Sequence, residues 1–271
     1  MNRRDPATPN PLLQPIGRSG GGSKWLVIPG WQQSAAHWTP LARWTSRAGT
    51  TLLVFDVAAA AATATAARGT FERLEQMTDL MSGESGSATA TILVGHSAGA
   101  PLAVLAAAKM PGVTAVVLVD PVASQLGVVP PQPRNGADAG EAGPVSLQQL
   151  YPMAGTVTIR MIEAAMGRPT EAMRWPGPPP RAEGERRAAL MRVVLEKVEV
   201  PVLVVRGRAS ALLSEADARI LSGAARRGRA LTIPDAGHSP HIDRPRETAA
   251  ALLDFAAALG GLPETEGAVH D

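Results

Sequence analysis

The residues best suited to chemistry lie in "ILVGHSAGAPL" (Ile92 to Leu102), where Ser97 stands at the centre of "GHSAG", Gly95 to Gly99. A serine hydroxyl is a weak nucleophile until a neighbouring base takes its proton, so its setting decides whether it reacts. Here an apolar run, "TILV", precedes it and a helix-patterned segment follows. A tight strand-to-helix turn forces the serine into a strained conformation at the strand end, and Gly95 and Gly99 let the backbone pass close to its neighbours. The spacing predicts a nucleophile elbow. The chain has no cysteine, which excludes disulfides, thiolate metal sites and a cysteine nucleophile. Its 5 histidines show no H-E-x-x-H spacing, so the sequence implies neither a metal nor an organic cofactor.

The elements that must position Ser97 follow from hydrophobic patterning. Six apolar runs read as strands: Trp25 to Gly30, Thr51 to Asp56, Thr91 to His96, Ala115 to Asp120, Pro201 to Gly207 and Ala230 to Gly237. Continuous runs rich in Val, Ile and Leu suit strands covered on both faces, as in parallel sheets. Helical spacing separates them at Phe71 to Met81, Ala98 to Met110, Ser214 to Leu221 and Glu247 to Leu259. The alternation predicts an α/β fold with a doubly wound, mostly parallel sheet, whose ligands sit outside the carboxyl ends of the strands.

The alternation breaks down from Pro121 to Val198. Two breaker-rich stretches there, Val128 to Pro144 and Arg174 to Arg181, flank weak helical patches at Val145 to Met153 and Val157 to Met166, and a third helix is expected over Glu185 to Glu196. The division read from the sequence is a polar, flexible segment 1–23, a core of 24–120 and 199–260, a helical cap 121–198 and a polar tail 261–271.

The balance of 26 basic and 24 acidic residues gives a net charge of +2, with no concentrated basic face, so no nucleic-acid partner is expected. No run approaches the ~18 uninterrupted apolar residues of a membrane helix. "MNRRDPATPNPLLQPIG" places two arginines before no apolar stretch, so neither a Sec nor a twin-arginine leader is expected, and the reading is cytoplasmic.

These motifs together resemble the α/β-hydrolase superfamily, from about Trp25 to Leu259, with the cap at the family's usual insertion point. "VIPGWQQSAAHWTPLA" (Val27 to Ala42) resembles the oxyanion loop, although Pro29 stands where histidine is usual. The resemblance implies an oxyanion hole from the backbone N–H groups of Trp31 and Ala98. "IPDAGHSPHIDRPRETAAALLDF" (Ile233 to Phe255) resembles the family's ending and implies that His238 is the general base for Ser97. The remaining histidines read as the variable elbow residue (His96), a packing partner of Trp38 (His37), a turn residue (His241) and part of the tail (His270). Trp31, His96, Met161 and Met166 are candidate substrate-pocket residues. The two methionines equally suit the cap's own small core.

One member of the family's triad is missing. The acid commonly follows the strand equivalent to "PVLVVRG", but this chain continues "RGRASALLSEADARIL" (Arg206 to Leu221), with Ala211 and Ser210 at the two usual acid positions. Three carboxylates could replace it: Asp120, at the end of the preceding strand, which the resemblance favours as the acid that orients His238 because some family members take their acid from that strand end; Glu215, which also fits a capping box begun by Ser214; and Asp235, three residues before His238. A dyad without acid is the fourth possibility.

The sequence therefore points to an enzyme that hydrolyses a small, largely apolar ester, thioester or related acyl compound through an acyl-enzyme on Ser97. The alternatives are a non-hydrolytic cyclase or lyase using His238 as acid or base, and a catalytically silent ligand-binding protein. The expected partner is a small acyl substrate, without nucleic acid or membrane, and exposed cap residues would also suit a homodimer.

Overall fold

The computed structural model describes residues 10–17, 23–30, 33–63, 76, 78–81, 91–121, 147–166, 189 and 191–260. Seven strands form one sheet: β1 (Leu13–Ile16), β2 (Lys24–Ile28), β3 (Thr51–Phe55), β4 (Thr91–His96), β5 (Val113–Val119), β6 (Val202–Gly207) and β7 (Gly228–Ile233). Their spatial order is β1-β3-β2-β4-β5-β6-β7. β1 alone runs antiparallel, and every other pairing is parallel. The order reverses between β2 and β4, which opens a crevice at their carboxyl ends.

Helices cover both faces: α1 (Thr39–Thr45), α2 (Val57–Thr63), α3 (Ala100–Lys109), α4 (Leu147–Leu150), α5 (Thr156–Met166), α6 (Glu215–Ala224), α7 (Pro240–Asp243) and α8 (Pro245–Leu259). Alternate strand residues serve opposite layers, because successive side chains point to opposite faces. Leu26, Ile28, Leu93, Val116, Leu118 and Val204 pack with Ala103 and Val104 of α3 and Leu221 of α6. Trp25, Val27, Val94, Val117 and Val205 pack with Leu41 of α1 and Leu252 and Phe255 of α8. Two buried faces explain why these strands read as continuous apolar runs and not as alternating ones.

Two features differ from the sequence reading and one, the segment after Asp56, lies beyond it. Segment 1–23 contains β1, paired to β3 from Leu13↔Phe55 to Ile16↔Leu52. Four residues interrupted by Pro15 give no periodic signal, yet an edge strand tolerates proline because its outer N–H need not pair. Asn10 anchors the strand, its side chain donating to the Leu80 carbonyl at 3.0 Å and accepting from the Leu12 N–H at 3.1 Å. The segment after Asp56 is helical, and the Asp56 carboxylate accepts from the Ala59 N–H at 2.9 Å, a capping contact. The serine turn is a short 3-10 turn, Ser97–Gly99, before α3 begins.

Of the cap, α4, α5 and residues 191–195, which are helical, are described. Both breaker-rich stretches fall outside the described residues. Leu147, Tyr151, Ala154, Ile159 and Ile162 form a small apolar cluster with Ala36, from the turn before α1, and Ile242 of α7. The described helices α4 and α5 are thereby seated against the turn before α1 and against α7. Among the described residues no helix is long and apolar enough to cross a membrane.

Candidate active site

β4 ends at His96, and the chain turns abruptly at Ser97, whose φ is 50°. Left-handed backbone at a serine costs on the order of 1–3 kcal/mol and persists only where its surroundings over-determine it. A Cβ added at Gly95 would lie 2.7 Å from the Ala103 Cβ, and one added at Gly99 would lie 2.5 Å from the carbonyl oxygens of both Ile28 and Pro29. The elbow is thus clamped by helix α3 on one side and the loop after β2 on the other. Gly30 approaches the serine from that loop, since a Cβ there would be 3.0 Å from the Ser97 Cβ.

Asp120 follows β5 and is also left-handed, with φ 41°. The β5–β6 register pairs Val119 with Val205, so Asp120 lies beside the end of β6. Its N–H donates to the Val205 carbonyl at 2.6 Å. The carboxylate is fully buried. Its Oδ2 accepts from the Gly207 N–H at 2.9 Å, and its Oδ1 accepts from the Ser210 hydroxyl at 2.6 Å. A buried carboxylate needs such donors to offset its desolvation.

His238 arrives on the loop after β7, between Asp235, itself at φ 51°, and α7. Its Nδ1 lies 2.8 Å from Asp120 Oδ1 and its Nε2 lies 2.8 Å from Ser97 Oγ. A carboxylate only accepts, so Nδ1 carries the proton and donates, leaving the Nε2 lone pair to accept from the serine hydroxyl. Three strand ends, β4, β5 and β7, thus deliver an unbroken hydrogen-bonded chain from a strained serine to a buried carboxylate. The imidazole keeps 28% of its surface exposed, enough for access from the crevice.

The loop bearing His238 is fixed from several sides. The Gly237 N–H donates to Asp243 Oδ2 at 2.8 Å, and Arg244 donates to the Met153 carbonyl of the cap at 3.1 Å. His96 Nε2 donates to the His238 carbonyl at 3.0 Å. Behind this bond lies a nest of buried rings: His241 stacks on Trp38 with centroids 4.1 Å apart, and the edge of His96 meets His241 at 4.5 Å. Burial holds His96 and His241 well below the usual imidazole range, and neighbouring histidines push the same way. Burial also lowers His37 to about 4. Burial raises Tyr151 to about 12 despite the Gln33 side chain that donates to its hydroxyl.

The structure brings Ser97, His238 and Asp120 together and keeps the rival acids apart. Glu215 is exposed and pairs with Arg219 on the outer face of α6, whose cap is Ser214 accepting from the Asp217 N–H. Asp235 is exposed on the turn after β7. Ala98 is exposed at the start of the elbow turn, while Trp31 lies outside the described residues, as does His270. His96 departs from the pocket reading: it is 2% exposed, and its contacts are the His238 carbonyl, Trp38 and His241. Met161 is half-buried on α5, and Met166 packs against the cap cluster. Sequence reasoning missed two contributors. Ser210 registered only as a lost acid, and Asp243 carried no motif at all.

A doubly wound sheet with a serine on the strand-to-helix turn at its reversal point defines the class of this protein as α/β-hydrolase-like. Residues 25–251 match the model of the alpha/beta hydrolase family, and the chain belongs to that family. Among solved structures it is similar to E-2-(acetamidomethylene)succinate hydrolase, at 24% identity over 90% of this chain and 95% of that one, with a TM-score of 0.61. It is similar to the putative non-heme bromoperoxidase BpoC from Mycobacterium tuberculosis H37Rv, at 22% identity over 91% and 96% of the two chains, with a TM-score of 0.59. A thioesterase domain from the curacin biosynthetic pathway aligns at 17% identity over 89% and 94%, with a TM-score of 0.60. At such identities these likenesses speak for the fold. A comparison with curated protein sequences finds no match.

Proposed function

We propose that the protein is a serine hydrolase that cleaves a small, largely apolar carboxylic ester, thioester or related acyl compound through an acyl-enzyme on Ser97. The observation that carries this reading is the hydrogen-bonded chain Ser97–His238–Asp120, with both links at 2.8 Å. As Ser97 Oγ attacks the acyl carbon, His238 Nε2 takes the hydroxyl proton and then delivers it to the leaving oxygen or sulfur. The developing oxyanion is met by the backbone N–H of Ala98, with the family resemblance implying Trp31 as the second donor. Water, deprotonated by the same nitrogen, then hydrolyses the acyl-enzyme. Asp120 stays ionised throughout, holding the imidazole in the Nδ1–H tautomer and stabilising the imidazolium.

The test is intact-mass detection of a fluorophosphonate adduct on wild type, Ser97→Ala and His238→Ala, together with turnover of p-nitrophenyl acetate and butyrate. The reading predicts one adduct on wild type, none on Ser97→Ala, and ester turnover that both substitutions abolish. A wild-type protein that resists probe and esters alike would remove the hydrolytic reading. Turnover of a non-ester substrate that survives Ser97→Ala would instead favour acid–base chemistry at His238.

A further inference from the structure

The position that held no acid in the sequence holds a hydroxyl with an unusual set of partners. Ser210 sits in the turn after β6, half-buried. Its Oγ accepts from the backbone N–H of Leu212 at 3.2 Å and of Leu213 at 3.3 Å. Its proton goes to Asp120 Oδ1 at 2.6 Å, the same oxygen that receives His238 Nδ1–H at 2.8 Å. A hydroxyl has one proton and two lone pairs. With both amides donating to its oxygen, the direction of its own O–H is fixed on the carboxylate. The amides also withdraw density from Oγ, which strengthens it as a donor, in the way that chained hydrogen bonds reinforce each other.

A turn held only by a serine accepting from two following amides would need no carboxylate nearby. The bond to Asp120 is therefore separable from the turn, and it falls on the one oxygen that faces the imidazole. We propose that Ser210 is a positioning residue, which fixes the rotation of the Asp120 carboxylate and, by sharing Oδ1, tempers its pull on the His238 proton. The inference rests on the hydrolytic reading of Ser97, His238 and Asp120 given above. Through this bond the chain Ser97–His238–Asp120 extends to a fourth member.

Removing this donor concentrates the carboxylate's negative charge on His238, which favours the imidazolium. The imidazole then accepts a proton more readily from solvent, so the acidic limb of the pH–rate profile moves to higher pH. The experiment measures kcat and KM for p-nitrophenyl butyrate against pH with wild type and the variants Ser210→Ala, Ser210→Thr and Ser210→Cys. Alanine keeps neither donor nor acceptor, threonine keeps the hydroxyl, and cysteine fills the space with a weak S–H donor. The expected result is an acidic limb raised by about half a pH unit in Ser210→Ala. Its kcat should fall about three- to tenfold, the range a single hydrogen bond commands, with KM unchanged. Threonine should restore the wild-type profile and cysteine should fall between. If Ser210→Ala does not fold, the displacement of the limb in Ser210→Cys carries the test. A limb that stays in place across the series, whatever happens to melting temperature, overturns the proposal. Failure of the underlying reading looks different: wild type would then not be labelled by fluorophosphonate, or Asp120→Asn would be labelled as fast as wild type.

Discussion

Acidification should unfold this protein over a narrow range, through histidines that take no direct part in the proposed chemistry. His37, His96 and His241 are buried, and burial keeps all three below the ordinary imidazole value of 6.5, His37 at about 4. In the unfolded chain they protonate at about 6.5. The folded state binds fewer protons than the unfolded one between these limits, so stability is fully present above about pH 6.5 and is lost as pH falls toward the folded values. An imidazole that stays neutral costs about 1.4 kcal/mol per pH unit over that interval, so His37 alone contributes about 2 kcal/mol between about pH 7 and pH 5, against a total stability of roughly 5–15 kcal/mol for an ordinary domain. His96 and His241 act in the same direction. Asp243 works in the opposite direction: burial raises its carboxyl, so protonating it favours the folded state, but only within the carboxylate range. Urea denaturation followed by tryptophan fluorescence at about pH 7, 6 and 5 measures the effect. His241→Phe is the decisive variant, because among the described residues neither ring nitrogen of His241 has a hydrogen-bond partner and phenylalanine can keep the stack on Trp38. It should make the pH dependence shallower than that of wild type. A free energy of unfolding that holds constant down to about pH 5, or a His241→Phe slope equal to that of wild type, would refute the reasoning.

Gly99→Ala should lower stability by about 1–3 kcal/mol and suppress fluorophosphonate labelling, since the new methyl meets two backbone oxygens that cannot move aside as a side chain would; calorimetry with labelling measures both. Glu215→Gln should leave labelling and ester turnover within about twofold of wild type, because its carboxylate faces solvent and an exposed i,i+4 pair contributes less than about 1 kcal/mol. A large loss of turnover there would reopen the assignment of the acid.

How far the site could be read in advance depended on how local its signals were. Ser97 sits in a strand, turn and helix that follow one another along the chain, so "GHSAG" was legible without tertiary information. His238 was legible for the same reason, and the core strands were legible because both their faces are buried. The acid was not. Asp120 reaches His238 because β5 lies beside β6 with Val119 opposite Val205 and because the turn at Gly207 to Ser210 folds over the carboxylate. Such adjacency of distant segments leaves no periodic trace, so the sequence could place Asp120 ahead of Glu215 and Asp235 through the family resemblance but could not show that its carboxylate meets His238. The buried rings of His37, His96 and His241 escaped notice for a similar reason. They come from three separate elements, the turn before α1, the end of β4 and α7, and meet around Trp38 and Tyr151.

The central claim is that the acid has moved by one strand without being lost. The most direct measurement is the rate constant for fluorophosphonate inactivation of Asp120→Asn relative to wild type, with Ser97→Ala as the blank. Asparagine keeps the shape of the side chain but favours the other imidazole tautomer, a change that costs about 10⁴ in serine proteases. The account predicts a fall of roughly three to four orders of magnitude in a protein that still folds. An Asp120→Asn protein inactivated within about tenfold of the wild-type rate would contradict it, leaving Ser97 and His238 to act as a dyad.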